Sequence, residues 1–263
     1  MNIVILSSTE EIAKAAADLY TNLLADKPNA VLGLATGSSP VPVYDELIRR
    51  YEAEEVSFKD ATAFLLDEYV GLPKGHPESY AEFIKRVFVS KVDFSDGAVN
   101  GPDGNASNPK KAADEYEEKI VASGGVDLQI LGIGTDGHIA FNEPGGSLAS
   151  TTHTQVLTEQ TRVDNARFFD GDINQVPRFC LTQGLATIGR AKSVVLVAQG
   201  EQKADAVAAL VEGGVSALWP ASVLQFHNDA TILVDEAAAS KLKLKDYYRA
   251  AYEGEQALSA LED

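Results

Sequence analysis

The sequence predicts an α/β fold: a single domain, residues 1–263, built on an open, mostly parallel β-sheet with helices on both faces, a Rossmann-like three-layer sandwich. Three observations predict it. Short apolar, β-branched runs alternate with amphipathic helical runs. Such alternation suits parallel strands joined by crossovers that cover both faces of the sheet. Polar residues then collect just after the apolar runs, at the strand ends where open sheets of this class hold ligands.

The strand candidates in chain order are 2–6, 30–35, 61–66, 128–133, 193–198 and 230–234. Helical patterns fill several of the gaps, at 10–25, 43–51, 109–122 and 203–212. Thr9 followed by Glu10 and Glu11 reads as an N-cap with acids in the first turn. No internal repeat, low-complexity tract or linker divides the chain. Residues 93–108, rich in Gly, Asp and Asn, read as a surface loop. Residues 157–184 are polar, weakly periodic and carry Arg162, Arg167 and Arg178, a basic island in an acidic chain.

Composition sets limits. The 263 residues are 45% hydrophobic, enough for a sizeable core, and carry a formal net charge of -17. That field repels nucleic acid and anionic membranes, and any anion site needs local cations or oriented N–H groups. The lone Cys180 allows no disulfide within the chain and reads as a small buried residue. The opening MNIVILSSTEE reads as strand then helix rather than a signal peptide, and no apolar run reaches the ~18 residues of a membrane span. A cytoplasmic location is expected.

Four strand ends carry the chemistry. After 30–35 comes Thr36-Gly37-Ser38-Ser39, a turn into a helix whose N–H groups and hydroxyls could cradle an anion. It equally fits a tight turn that merely needs Gly37, and it lacks the Gly-Lys-Ser/Thr ending of a P-loop. After 61–66 comes Asp67, which could cap a helix, face water, or act as a carboxylate base. After 128–133 comes GIGTDGHIAFNEPGG, whose Gly132, Gly134 and Gly137 spell G-x-G-x-x-G. A dinucleotide loop must run into a helix that holds the pyrophosphate, and Pro144, Gly145 and Gly146 break any such helix. Asp136, His138 and Glu143 remain, an acid–base set in which a carboxylate can fix the imidazole tautomer. A single His among scattered acids gives no metal-ligand spacing, so no metal is expected. After 193–198, Lys203 opens a helix against its dipole, a placement that suits a phosphate between them.

LATGSSPVPVYDELI, LDEYVGL, LGIGTDGHIAFNEPG and TRVDNARFF, in this order, resemble the glucosamine-6-phosphate deaminase family from Met1 to about Tyr252. FNEPG is the most specific element. The related 6-phosphogluconolactonases share a Gly-Asp-Gly-His turn but continue differently. The resemblance implies isomerising deamination of glucosamine 6-phosphate to fructose 6-phosphate and ammonia, in amino-sugar catabolism, with no cofactor. It implies that His138 opens the sugar ring with Asp136 and Glu143 in support, and that Asp67 moves a proton from C2 to C1. Thr36, Gly37, Ser38, Arg167 and Lys203 match phosphate-binding positions, and 157–184 matches a mobile active-site lid. A homo-oligomer, up to a hexamer, is expected. His153 and Gln155 stand where activator-binding members carry Arg and Lys, and Arg249 stands at the position of a tyrosine, so activation by N-acetylglucosamine 6-phosphate is expected to be weak or absent. A galactosamine 6-phosphate deaminase, a lactonase and a non-catalytic sugar-phosphate sensor are the alternatives.

Overall fold

The computed structural model describes residues 1–259 and 261. Its main sheet has seven strands: β1 (Asn2–Leu6), β2 (Val31–Leu34), β3 (Thr62–Leu65), β5 (Val99–Asn100), β6 (Leu128–Leu131), β9 (Ser193–Ala198) and β10 (Ala230–Asp235). They lie in the order β1-β10-β9-β6-β2-β3-β5, and every neighbouring pair is parallel. The six apolar runs all became strands, because apolar residues buried on both faces suit a parallel sheet covered by helices. Strands β2 and β6 are buried at every position, and β9 at all but its first residue.

Helices α1 (Thr9–Asp26), α2 (Val41–Glu52), α4 (Pro109–Ala122) and α7 (Ala204–Glu212) match the periodic runs. The cap of α1 is a correction by one residue. Ser8, not Thr9, is extended and accepts the Glu11 N–H at 3.2 Å, while Thr9 has entered the helix. Helix α1 packs on α2 and on β1, β9 and β10. A final helix, α8 (Lys245–Ser259), lies against β1.

The sequence reading did not foresee a second sheet. Strands β4 (Asp67–Tyr69), β7 (His153–Val156) and β8 (Phe179–Thr182) pair antiparallel in the order β4-β8-β7. Only Leu66 separates β3 from β4, so the chain passes from one sheet to the other at Asp67. The Leu66 N–H stays with the first sheet, donating to Leu34 O at 3.2 Å, and its carbonyl accepts Gln183 N at 2.7 Å.

This sheet revises two expectations. Residues 157–184, expected as a mobile lid, include β8, the middle strand, with Cys180 and Leu181 fully buried. The expectation that Cys180 is a buried core residue therefore holds. Leu157, Ala166, Phe169 and Val176 also bury into a small core beneath this sheet, shared with Tyr69, Phe141 and Cys180. Among residues 157–184 lie the short helix α5 (Glu159–Asn165) and the 3-10 turn Ala166–Phe168, in which Asp164, Arg167 and Phe168 are exposed. Residues 93–108 are not all loop either, because they supply the edge strand β5. Helices α3 (Tyr80–Val87) and α6 (Leu185–Gly189) complete the set.

Candidate active site

The sheet order turns at β2 and β6. Beyond β2 the chain builds towards β3 and β5, and beyond β6 towards β9 and β10. Ligands in open sheets bind at such a reversal, past the carboxyl ends of the strands. A cleft of about 1140 Å³, counted out to its solvent-filled mouth, lies there. Thr36, Gly37 and Ser38 line it from β2, Asp67 from the β3–β4 junction, His138 from the loop after β6, Lys203 from the turn after β9, and Arg167 from the 3-10 turn. Asp136 and Glu143 reach it through His138.

Asp67 sits in the floor, 5% exposed. Burial and the neighbouring Glu68 charge push its carboxyl well above the usual carboxylate range. Glu68 points the other way and accepts backbone N–H groups of Tyr69 (2.8 Å), Tyr80 (3.0 Å) and Ala81 (2.9 Å). Its carboxylate thereby caps α3, where the helix dipole favours an anion. Burial raises the Glu68 pKa and those three N–H groups hold it partly back. One of two adjacent acids is tied to backbone; the other is left to face the cleft.

The loop after β6 presents His138. Its Nδ1 stands 2.7 Å from Asp136 Oδ1 and 4.0 Å from Glu143 Oε2. The ring N–H direction misses Asp136, so the pair is a close electrostatic contact rather than a straight hydrogen bond, and Nδ1 and Glu143 Oε2 are both left unpartnered in the interior. For Asp136, burial acts upward, but contact with His138 outweighs it and keeps the carboxyl below its ordinary value. Glu143 Oε1 accepts from Thr158, from its N–H at 3.2 Å and its hydroxyl at 3.4 Å. Thr158 is also the N-cap of α5, so the acid beside the histidine touches the base of the exposed segment. Asn142 donates to Ile139 O (3.0 Å) and Gln183 O (2.9 Å), which ties the loop to β8.

These three groups offer ligand atoms within 4.8 Å of one another. Two donors on one tetrahedral ion at ~2.1 Å would stand about 3.4 Å apart. The 2.7 Å between Nδ1 and Asp136 is shorter than that spacing, so the two atoms as placed do not fit one ion.

The opposite wall is cationic. Neither Lys203 nor Arg167 has an acidic partner within 4.0 Å among the described residues. Burial, and then the Arg167 charge, lower the Lys203 pKa from its ordinary value. Arg167 also stacks on Phe168, its guanidinium carbon 4.7 Å from the ring centre. Facing them, Gly37 takes a φ of 96° in the turn before α2. Among the described residues, the N–H groups of Gly37, Ser38 and Ser39 donate to no backbone acceptor outside regular elements. Two cations without an acidic partner among the described residues and a turn whose N–H groups are free to donate are the elements of a phosphate site.

The nine residues singled out from the sequence are thus gathered about one cleft. Others were missed. Tyr69, Tyr80 and Asn165 line it too, linked by Tyr80 Oη to Tyr69 Oη (3.4 Å) and Asn165 Nδ2 to Tyr69 Oη (2.8 Å). Tyr69, two residues after Asp67 at the same strand end, was the available signal.

The description "Glucosamine-6-phosphate isomerases/6-phosphogluconolactonase" belongs to a family model that matches residues 7–233. The chain belongs to this family. Within it, the chain is 59% identical over 257 residues to a glucosamine-6-phosphate deaminase of Mycolicibacterium smegmatis, covering 98% of each. It is 61% identical over 252 residues to that of Beutenbergia cavernae, covering 96% of this chain and 97% of the relative. The solved structure of a monomeric glucosamine-6-phosphate deaminase superposes with a TM-score of 0.89 at 42% identity, over 91% of this chain and 99% of that one. A 6-phosphogluconolactonase from Trypanosoma cruzi shares the fold with a TM-score of 0.72 at 21% identity, over 92% and 97%. Among the described residues, no helix is long and apolar enough to cross a membrane.

Proposed function

We propose that this family member converts glucosamine 6-phosphate and water to fructose 6-phosphate and ammonia. The observation that carries the reading is a buried carboxylate of raised pKa, Asp67, sharing one cleft with an acid-flanked histidine and a cationic wall. The N–H groups of 36–39, Lys203 and Arg167 hold the phosphate and fix the register of the sugar. His138 accepts the proton of the C1 hydroxyl as the ring opens, and Asp136 and Glu143 stabilise the charged imidazole. Asp67 removes the proton from C2 and returns it to C1. One base serves both carbons, and its raised pKa suits a group that must both take and give a proton near neutrality. Protonation at C1 leaves an imine at C2; water adds there and ammonia departs.

The exposed segment 159–168 is the part of 157–184 that can close, bringing Arg167 onto the phosphate and excluding water. The reaction belongs to amino-sugar catabolism in the cytoplasm. Activation by N-acetylglucosamine 6-phosphate is weak or absent, since His153 and Gln155 bond to local groups instead. A large drop in KM on adding that compound would overturn this point.

Comparing substrates tests the site reading. Glucosamine 6-phosphate should release ammonia efficiently, and free glucosamine should do so far more weakly. Equal turnover of the two would remove the phosphate role of Lys203 and Arg167. Efficient hydrolysis of 6-phosphogluconolactone would favour the other branch of the family.

A further inference from the structure

The loop that carries His138 has almost no regular structure of its own. Between Gly134 and Gly145 three residues sit at positive φ: Gly137 at 83°, Ala140 at 50° and Gly145 at 88°. A side-chain-bearing residue such as Ala140 stays in that region only when its surroundings over-determine it. Strand β8 restrains the later half of the loop, where Thr182 Oγ1 accepts Phe141 N at 3.1 Å and Gln183 O accepts Asn142 Nδ2 at 2.9 Å.

The earlier half, from which His138 hangs, is gripped by a different segment. Ala221 N donates to Gly137 O at 2.9 Å, and Gly145 N donates to Ala217 O at 2.7 Å. One short stretch, residues 216–222, thus holds both ends of the loop. Between those two bonds Trp219 lays its ring against Gly137. A Cβ built on Gly137 would stand 2.6 Å from Trp219 Cε3, so the backbone there packs against the indole with no room for a side chain. The stretch is itself braced. Trp219 N donates to Ser216 O at 3.0 Å, and Ser222 Oγ accepts Ser216 N at 2.9 Å and donates to Ser216 O at 3.2 Å. Behind it, Gln225 Nε2 donates to Leu210 O (2.9 Å) and Gly213 O (2.8 Å). Trp219 is not among the residues that line the cleft.

We infer that Trp219 is a positioning residue for His138, acting through Gly137 to hold the imidazole beside Asp136 at the edge of the cleft. The inference rests on the reading of His138 as the acid–base group. A large rigid ring suits the task because it fills the space beside Gly137 with only two side-chain torsions to fix. Removing it frees the loop beneath His138 and leaves the phosphate cradle, on the ends of β2 and β9, where it was.

Trp219→Phe, Trp219→Leu and Trp219→Ala are compared with His138→Asn and the unaltered protein, measuring kcat, KM, the pH profile of kcat and the thermal melt. A displacement near 1 Å costs about 100-fold in rate. Trp219→Ala should lose about 10- to 100-fold in kcat with KM within about 2-fold, and its pH profile should shift because the His138–Asp136 contact loosens. Trp219→Phe, still ringed, should stay within about 3-fold. Trp219→Leu keeps apolar bulk without the flat ring; it should fall between the two and carries the test if the alanine variant does not fold. A folded Trp219→Ala or Trp219→Leu protein with unaltered kcat and pH profile overturns the inference. So does an equal loss in Trp219→Phe and Trp219→Ala, or a lowered melt alone, which would make Trp219 ordinary core. If His138→Asn itself keeps full turnover, the acid–base reading fails first and takes the inference with it. Loss in His138→Asn without loss in Trp219→Ala sinks the inference alone.

Discussion

Gly134 is the position where a single methyl group should do most harm to the chemistry. Its backbone is not in the left-handed region; what it supplies is space. A Cβ there would stand 2.3 Å from both Cε1 and Nδ1 of His138 and 2.7 Å from Asp136 Oδ1. Ordinary contacts between such atoms are about 3.5 Å, so the imidazole of a Gly134→Ala protein must retreat by about 1.2 Å. Misplacing a catalytic group by about 1 Å can cost about 100-fold in rate, roughly 2.7 kcal/mol of barrier. The same overpacking should cost about 1–3 kcal/mol of stability, a fall of roughly 2–12 °C in melting temperature for a chain of this size. KM should stay within about 2-fold, because the phosphate groups lie on other strands. The assay is continuous ammonia release from glucosamine 6-phosphate across a range of concentrations, with a thermal melt of the same sample. A folded variant with unaltered kcat would refute the claim that the 2.3 Å crowding fixes His138. So would a KM that rises in proportion as kcat falls.

Replacing Asp67 by Asn should lower kcat by about 100- to 10,000-fold with little change in KM. It should also raise stability, with a definite pH dependence. A carboxyl whose pKa is raised by folding costs stability as pH climbs from its unfolded value through its folded one, so the melting-temperature gain should be near zero at about pH 4 and grow above it. A gain that shrinks with rising pH would contradict the burial argument. For the cationic wall, Arg167→Ala and Lys203→Ala should each raise KM about 10- to 100-fold for the phosphorylated sugar and change it little for free glucosamine. The lowered Lys203 pKa adds that KM of the unaltered protein should rise early on the alkaline side, while Lys203→Arg, charged throughout, stays flatter. Identical alkaline limbs would rule out Lys203 as the group that titrates.

How far the sequence speaks depends on how local the physics is. Strands β2, β6 and β9 were legible because residues buried on both faces leave a mostly apolar run, broken in β6 by Gln129. Asp67, His138 and Lys203 were legible because each follows such a run, and a parallel sheet brings those ends to one edge. The second sheet was not. DEY, HTQV and FCLT are short and mixed in polarity, and their pairing is antiparallel between segments distant in the chain. β8 in particular lay hidden in the polar stretch 157–184. Ser8 competed with Thr9 for the cap of α1, and only the geometry of the Glu11 N–H decides between them. The grip of Trp219 on Gly137 and the link from Glu143 to Thr158 are contacts between remote residues, and no spacing in the sequence announces them.

The most direct test of the central claim is to incubate the protein with glucosamine 6-phosphate in deuterated water and follow both products. The account expects ammonia and fructose 6-phosphate in equal amounts, with deuterium at C1 wherever Asp67 exchanges its proton before returning it. It also expects the Asp67→Asn protein to bind the sugar phosphate and release almost nothing. A folded, unaltered protein that gives neither product would contradict the account, as would an Asp67→Asn protein that turns over at the full rate.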